Sequence, residues 1–188
     1  ASFRMTDKDR YELKIAGLLH DCGKVTTPVH VVDKATKLQT LFDRIHLVDT
    51  RFEVLKRDAQ IAMLKAKLAL RDSHDDQRKS PWDARAEAAL DEDLARHLHQ
   101  IESDREFLRQ SNVGSELMTP EDQERVKRIG TGYRWIGVDG KSANFLSDDE
   151  LENLNIRAGT LTQKERETIN YHIVATIKML ESLPWPNH

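Results

Sequence analysis

The chain has a single cysteine, Cys22, among its 188 residues. No intrachain disulfide can form, and a reducing, cytoplasmic compartment is the expected setting. Aromatic residues make up only 6% and hydrophobic residues 38%, against about 45–50% apolar with glycine counted in ordinary domains. Charged residues reach 32%. Such a chain is light on core formers, and long helices with exposed faces are the expected solution. No run of about 18 apolar residues is present, so no segment reads as a membrane span. The net charge of −3 gives no basic face for a DNA or RNA polymer. The opening Ala1-Ser2-Phe3-Arg4-Met5 has no apolar stretch of the signal-peptide kind. It also lacks an initiator methionine, as expected of a piece cut from a longer chain.

What is present reads as almost entirely helical. Thr6 before Asp7-Lys8-Asp9 predicts a capped helix start, with Leu13, Ala16, Leu19 and His20 at helical spacing and Gly23 as a stop. Pro28 forces an extended conformation on Thr27, and 29–41 reads as irregular or briefly helical. A long helix is predicted over 43–71, with Val54, Ile61, Leu64 and Leu68 on one seam. Ser80-Pro81 opens a second, to about Arg109, with Pro81 at the first helical position. Its seam runs Leu90, Leu94, His97, Ile101, Asp104 and Leu108. Two such helices joined by a polar turn form an antiparallel hairpin, each reaching about 40 Å. Thr119-Pro120 starts a short helix, Asp139-Gly140 favours a small β-hairpin or loop, and Ser147 caps another helix. Thr162 and Glu165 fit a capping box for the last helix. Its expected buried stripe is Ile169, Ile173, Ile177 and Leu180, beside Val174 and Met179.

The chemistry concentrates in His20-Asp21-Cys22-Gly23-Lys24. A neutral imidazole and a carboxylate sit side by side at the end of an apolar helix. A carboxylate can bridge two cations with its two oxygens, and mixed N and O ligands suit iron or manganese better than a thiolate site would. Lys24, four positions after His20, projects to the same side if the turn continues, where a metal-held phosphate would lie. Two ions about 3.5–4 Å apart can activate water and stabilise the leaving oxygen of a phosphodiester.

The stretch from Tyr11 through His20-Asp21-Cys22-Gly23-Lys24-Val25 resembles the HD motif of HD-GYP phosphodiesterase domains. Pro28 and Val31-Val32-Asp33-Lys34-Ala35-Thr36-Lys37-Leu38 resemble the segment that follows it. The threonine-capped helix from Gly159 through His172 resembles the family's next metal-binding helix, with His172 as the matching ligand. The resemblance covers about 6–38 and 146–187. It implies an all-α, HD-type helical core in two parts, 1–42 and 146–188, with a helical insertion and a small loop or hairpin region over 43–145. It further implies His20, Asp21 and His172 as metal ligands, Asp21 and Lys24 as catalytic groups, Lys24 on the substrate phosphate, and two or three Fe or Mn ions in a complete domain. The substrate it implies is a cyclic dinucleotide, cyclic di-GMP.

Ligands upstream of the HD motif, and the downstream His-His-Glu and Gly-Tyr-Pro motifs, have no counterpart here. The chain is therefore expected to carry part of a site and to show little turnover alone. Two rivals stand beside this reading. One is an interaction module that forms a homodimer or docks a partner through the insertion, with a remnant HD core. The other is an HD phosphohydrolase acting on mononucleotides. The pair His46 and Asp49, and His30, His74, His97, His99 and His188, read as non-functional. Cys22 reads as a packed small hydrophobe. Trp82, Trp135 and Trp185 read as core or interface residues.

Overall fold

The computed structural model describes residues 4–72, 81–137 and 140–184. The described residues are all-α apart from one two-stranded sheet. It divides into two compact units, Ala1–Ala35 with Leu161–His188, and Thr36–Thr160.

The first unit holds α1 (Asp7–Leu19), a 3-10 helix (Cys22–Thr26), α2 (Val29–Val32) and α7 (Gln163–Glu181). Thr6 and Asp9 close a capping box at the start of α1, and Thr162 and Glu165 do so at α7. Each box satisfies amides that the first helical turn cannot pair internally. Thr27 is extended before Pro28, as proline sterics require. Lys34 Nζ donates to both oxygens of Glu165 at 2.9 and 2.8 Å, tying the end of α2 to the cap of α7.

The apolar stripes expected in this unit are displaced. On α7 the buried residues are Ala175 and Thr176, with Ile169, His172, Met179 and Leu180 half-buried. Ile173, Val174 and Ile177 are exposed. On α1 nothing is buried; Ile15 and Leu19 are half-buried, while Leu13 and Ala16 are exposed. The cause is the close approach of the 3-10 backbone to α7 at Gly23, which selects small side chains at the contact and turns the isoleucines outward.

The second unit holds α3 (Ile45–Asp72), α4 (Pro81–Val113), α5 (Pro120–Gly132), β1 (Arg134–Ile136), β2 (Ser142–Asn144) and α6 (Asp148–Leu154). Its core gathers Leu38, Phe52, Ile101, Leu108, Phe145, Leu146 and Leu154 with their neighbours. Residues 36–42 and 146–160 thus belong with the long helices in one compact unit. Tyr133 meets Phe52 and Phe145 edge-on, and those two rings are tilted against each other. The strands pair antiparallel with Trp135 opposite Ala143. Gly140 takes a φ of 73° in the turn, where a side chain would be strained; Val138 and Asp139 lie outside the described residues.

The long helices form the expected hairpin pair, but on different seams. On α3 the inward positions are Val48, Phe52, Leu55, Ala59, Met63, Ala66 and Leu70. Ile61, Leu64 and Leu68 of the expected seam are exposed. On α4 Leu98 takes the inward place and His97 is exposed, while Leu90, Leu94, Ile101, Asp104 and Leu108 face inward as expected. Buried Asp104 is satisfied by Arg125, Gln100 and the Tyr133 hydroxyl, which explains how a carboxylate sits on that seam.

Candidate functional site

The 3-10 helix positions the site. α1 stops at Leu19, His20 caps it, and Asp21 leaves helical geometry with φ −118° and ψ 12°. The chain then runs across α7. Gly23 is buried and its amide donates to Thr176 Oγ1 at 2.9 Å. A β-carbon at Gly23 would lie 2.1 Å from the His172 carbonyl oxygen and 2.5 Å from the Thr176 nitrogen. Only glycine permits this approach, so the glycine read as a helix stop is also what brings the HD dipeptide to α7. Thr176 was not singled out from the sequence. The available signal was its place four residues after His172, on the same helix face.

Three side chains meet at Asp21. His20 Nε2 lies 3.0 Å from Oδ2, and His172 Nε2 lies 3.6 Å from Oδ1. Lys24 Nζ donates to Oδ2 at 2.6 Å. His172 is mostly buried while His20 is exposed, so the cluster opens to solvent on the His20 side. The Lys24 hydrogen bond holds the Asp21 carboxyl below its ordinary range; partial desolvation opposes this, and the His20, Lys24 and His172 charges assist it.

Both rings are held alike. His20 Nδ1 faces the Gly17 carbonyl oxygen at 2.8 Å, and His172 Nδ1 faces that of Ile169. A carbonyl only accepts, so Nδ1 carries the proton in each ring and Nε2 is turned to the carboxylate. When the ring is neutral, an Nε2 lone pair and a carboxylate oxygen face each other. Two acceptors in that relation need a cation or a proton between them. A backbone carbonyl on the far nitrogen is also how metal-ligating histidines are usually oriented. Among the described residues no three His, Cys, Asp or Glu side chains close around one point. His20, Asp21 and His172 offer nitrogen and oxygen donors that would suit a metal ion, and further ligands would be needed to complete a site.

Among the described residues the other candidates form no ligand set of their own. His46 is exposed, while Asp49 is bound by Arg105 and Arg109, so they form no ligand pair. His30, His97 and His99 are exposed. Trp135 packs against the second unit's core beneath Arg51, whose guanidinium lies 5.2 Å from the ring centre. Cys22 is a half-buried free thiol. His74, His188 and Trp185, and the Trp82 side chain, lie outside the described residues.

The HD domain family model matches residues 3–103, more than half of the chain and including the HD dipeptide. The chain belongs to the HD domain family. That membership supports a metal-dependent phosphohydrolase with a nucleotide-type substrate. No curated protein and no solved structure gives a significant match. Among the described residues no helix is long and apolar enough to cross a membrane.

Proposed function

We propose that this HD domain belongs to a phosphodiesterase of the HD-GYP type and contributes part of a site for hydrolysing cyclic di-GMP. The observation that carries the reading is the placement of His20 and His172 on opposite oxygens of one carboxylate, Asp21. His20, Asp21 and His172 would hold iron or manganese, for which mixed nitrogen and oxygen ligands are suited. Such ions, when bound, make water acidic enough to supply a nucleophile near neutral pH.

The chain's own groups do the rest. The Gly17 and Ile169 carbonyls fix the imidazole tautomers. Lys24, half-exposed and paired with Asp21, would turn its ammonium to a phosphate oxygen. The HD-GYP assignment and the guanine bases rest on the sequence resemblance. The tight HD–Gly–Lys turn and the capped helix bearing His172 are what support it.

Elemental analysis of the manganese-loaded chain tests the site. Metal retained by the chain, and lost at least tenfold in His20→Ala and His172→Ala, is the expected result; retention unchanged by both substitutions overturns the ligand assignment. Cyclic di-GMP should also compete with a fluorescent analogue on the manganese-loaded chain, and Lys24→Ala should weaken that competition. Equal competition by mononucleotides would favour the general phosphohydrolase instead.

A further inference from the structure

The hairpin of α3 and α4 is unfinished away from the second unit's core. From Lys56 to Gln100 no residue whose burial is described is buried. Each helix has one partner there, so Met63, Leu70, Leu90, Leu94 and Leu98 are only half-covered. On the outer face of α3, Ile61, Leu64 and Leu68 are 48, 54 and 58% exposed. Val54, Ile61 and Leu68 recur every seven residues, a spacing that returns to nearly the same helix face. An apolar groove lined by Ala66, Ala69, Leu70, Ala86, Ala89 and Leu90 lies along the same part of the hairpin.

The charges beside this stripe indicate what covers it. Arg57 pairs with Glu53, Lys56 with Glu102, Lys67 with Asp91 and Arg71 with Glu87. Asp58 and Lys65 are exposed and make no ion pair among the described residues. They lie three residues before and four residues after Ile61.

We propose that the outer face of α3 is the interface between two copies of this chain, packed antiparallel about a two-fold axis at Ile61. In that register Ile61 meets the partner's Ile61, and Val54 meets the partner's Leu68. Asp58 falls within one residue, about 1.5 Å along the axis, of the partner's Lys65. The stripe and the two exposed charges are both self-complementary under the same operation, as an isologous interface requires. The proposal is independent of the phosphodiesterase reading.

Sedimentation equilibrium of the full chain tests it, with Asp58→Lys, Lys65→Asp and the double reversal, each checked for helicity by circular dichroism. The expected result is a concentration-dependent dimer. Each single reversal, acting twice across the axis, should raise Kd about tenfold, and the double reversal should restore it to within about threefold. A monomer at every concentration overturns the proposal. So does a dimer that the single reversals leave unchanged, or one that the double reversal weakens as much as they do.

Discussion

The Gly23 amide donates to the Thr176 hydroxyl at 2.9 Å, joining residues 153 positions apart in the sequence. That bond lays the backbone between Asp21 and Lys24 against α7 and sets His172 beside Asp21.

Gly23→Ala should therefore damage the site without touching a ligand. The added carbon meets backbone atoms of α7, which cannot give way as a side chain tip could. A loss of about 1–3 kcal/mol is expected, as for other overpacked contacts, with weaker manganese binding. Thr176→Val should cost about 1–3 kcal/mol by leaving the buried amide unpaired. Urea unfolding and metal titration of both variants check this; unchanged metal affinity in Gly23→Ala would refute the positioning role.

Lys37 should make the fold more stable at alkaline pH. Its side chain is fully buried, with Nζ against Met118 Sδ at 2.7 Å and the Leu154 carbonyl oxygen at 3.2 Å. Burial pushes its pKa down to about 8 from 10.5, against the opposing pull of Asp122. Between those values the unfolded chain binds more protons than the folded one, so stability rises with pH through that window. Below about 8 both states are protonated and the burial penalty is fully present. Lys37→Met should remove the rise and leave stability at pH 7 equal or higher. Unfolding free energies at pH 7, 8, 9 and 10 for the two proteins provide the comparison.

Arg51 forks onto Glu150, with Nη1 to Oε2 at 2.7 Å and Nη2 to Oε1 at 2.9 Å, joining α3 to α6. Burial pushes the Glu150 carboxyl up, but Arg51 and the Ser147 amide outweigh it and hold the carboxyl below its ordinary 4.5. The stability this contributes is present above 4.5 and is lost as pH falls through the lower folded value. Arg51→Ala should cost about 3–5 kcal/mol at pH 7, because it strands a buried carboxylate. The difference between the proteins should shrink in acid, which denaturant titrations at pH 7 and pH 3 would reveal.

The two neighbouring positions on α4 should respond differently. Leu98 is half-buried against α3 and His97 is exposed. Leu98→Ala should lose about 1–2 kcal/mol, in proportion to the apolar area involved. His97→Ala should stay within about 0.5 kcal/mol. A reversed order in thermal unfolding would restore the seam through His97.

Local signals were legible in the sequence. Thr6, Ser147 and Thr162 each cap a helix as read, and Thr119 caps the helix it was read to start, because a capping box is built within four residues. The HD dipeptide, the turn to Lys24 and the two long helices are local in the same sense. Which face of each helix lies inward was not local. Ile61, Leu68, Ile173 and Ile177 have the hydrophobicity of core residues and yet are exposed. Sequence periodicity identifies an apolar stripe, but the partner backbone decides which stripe it covers. On α7 that choice fell to Ala175 and Thr176, because Gly23 brings the 3-10 backbone too close for larger side chains. Short-range sequence signals were enough for the helices, their caps and the residue types of the candidate site. Tertiary structure alone decided that His20 and His172 share Asp21, because that meeting depends on a backbone contact between segments some 150 residues apart.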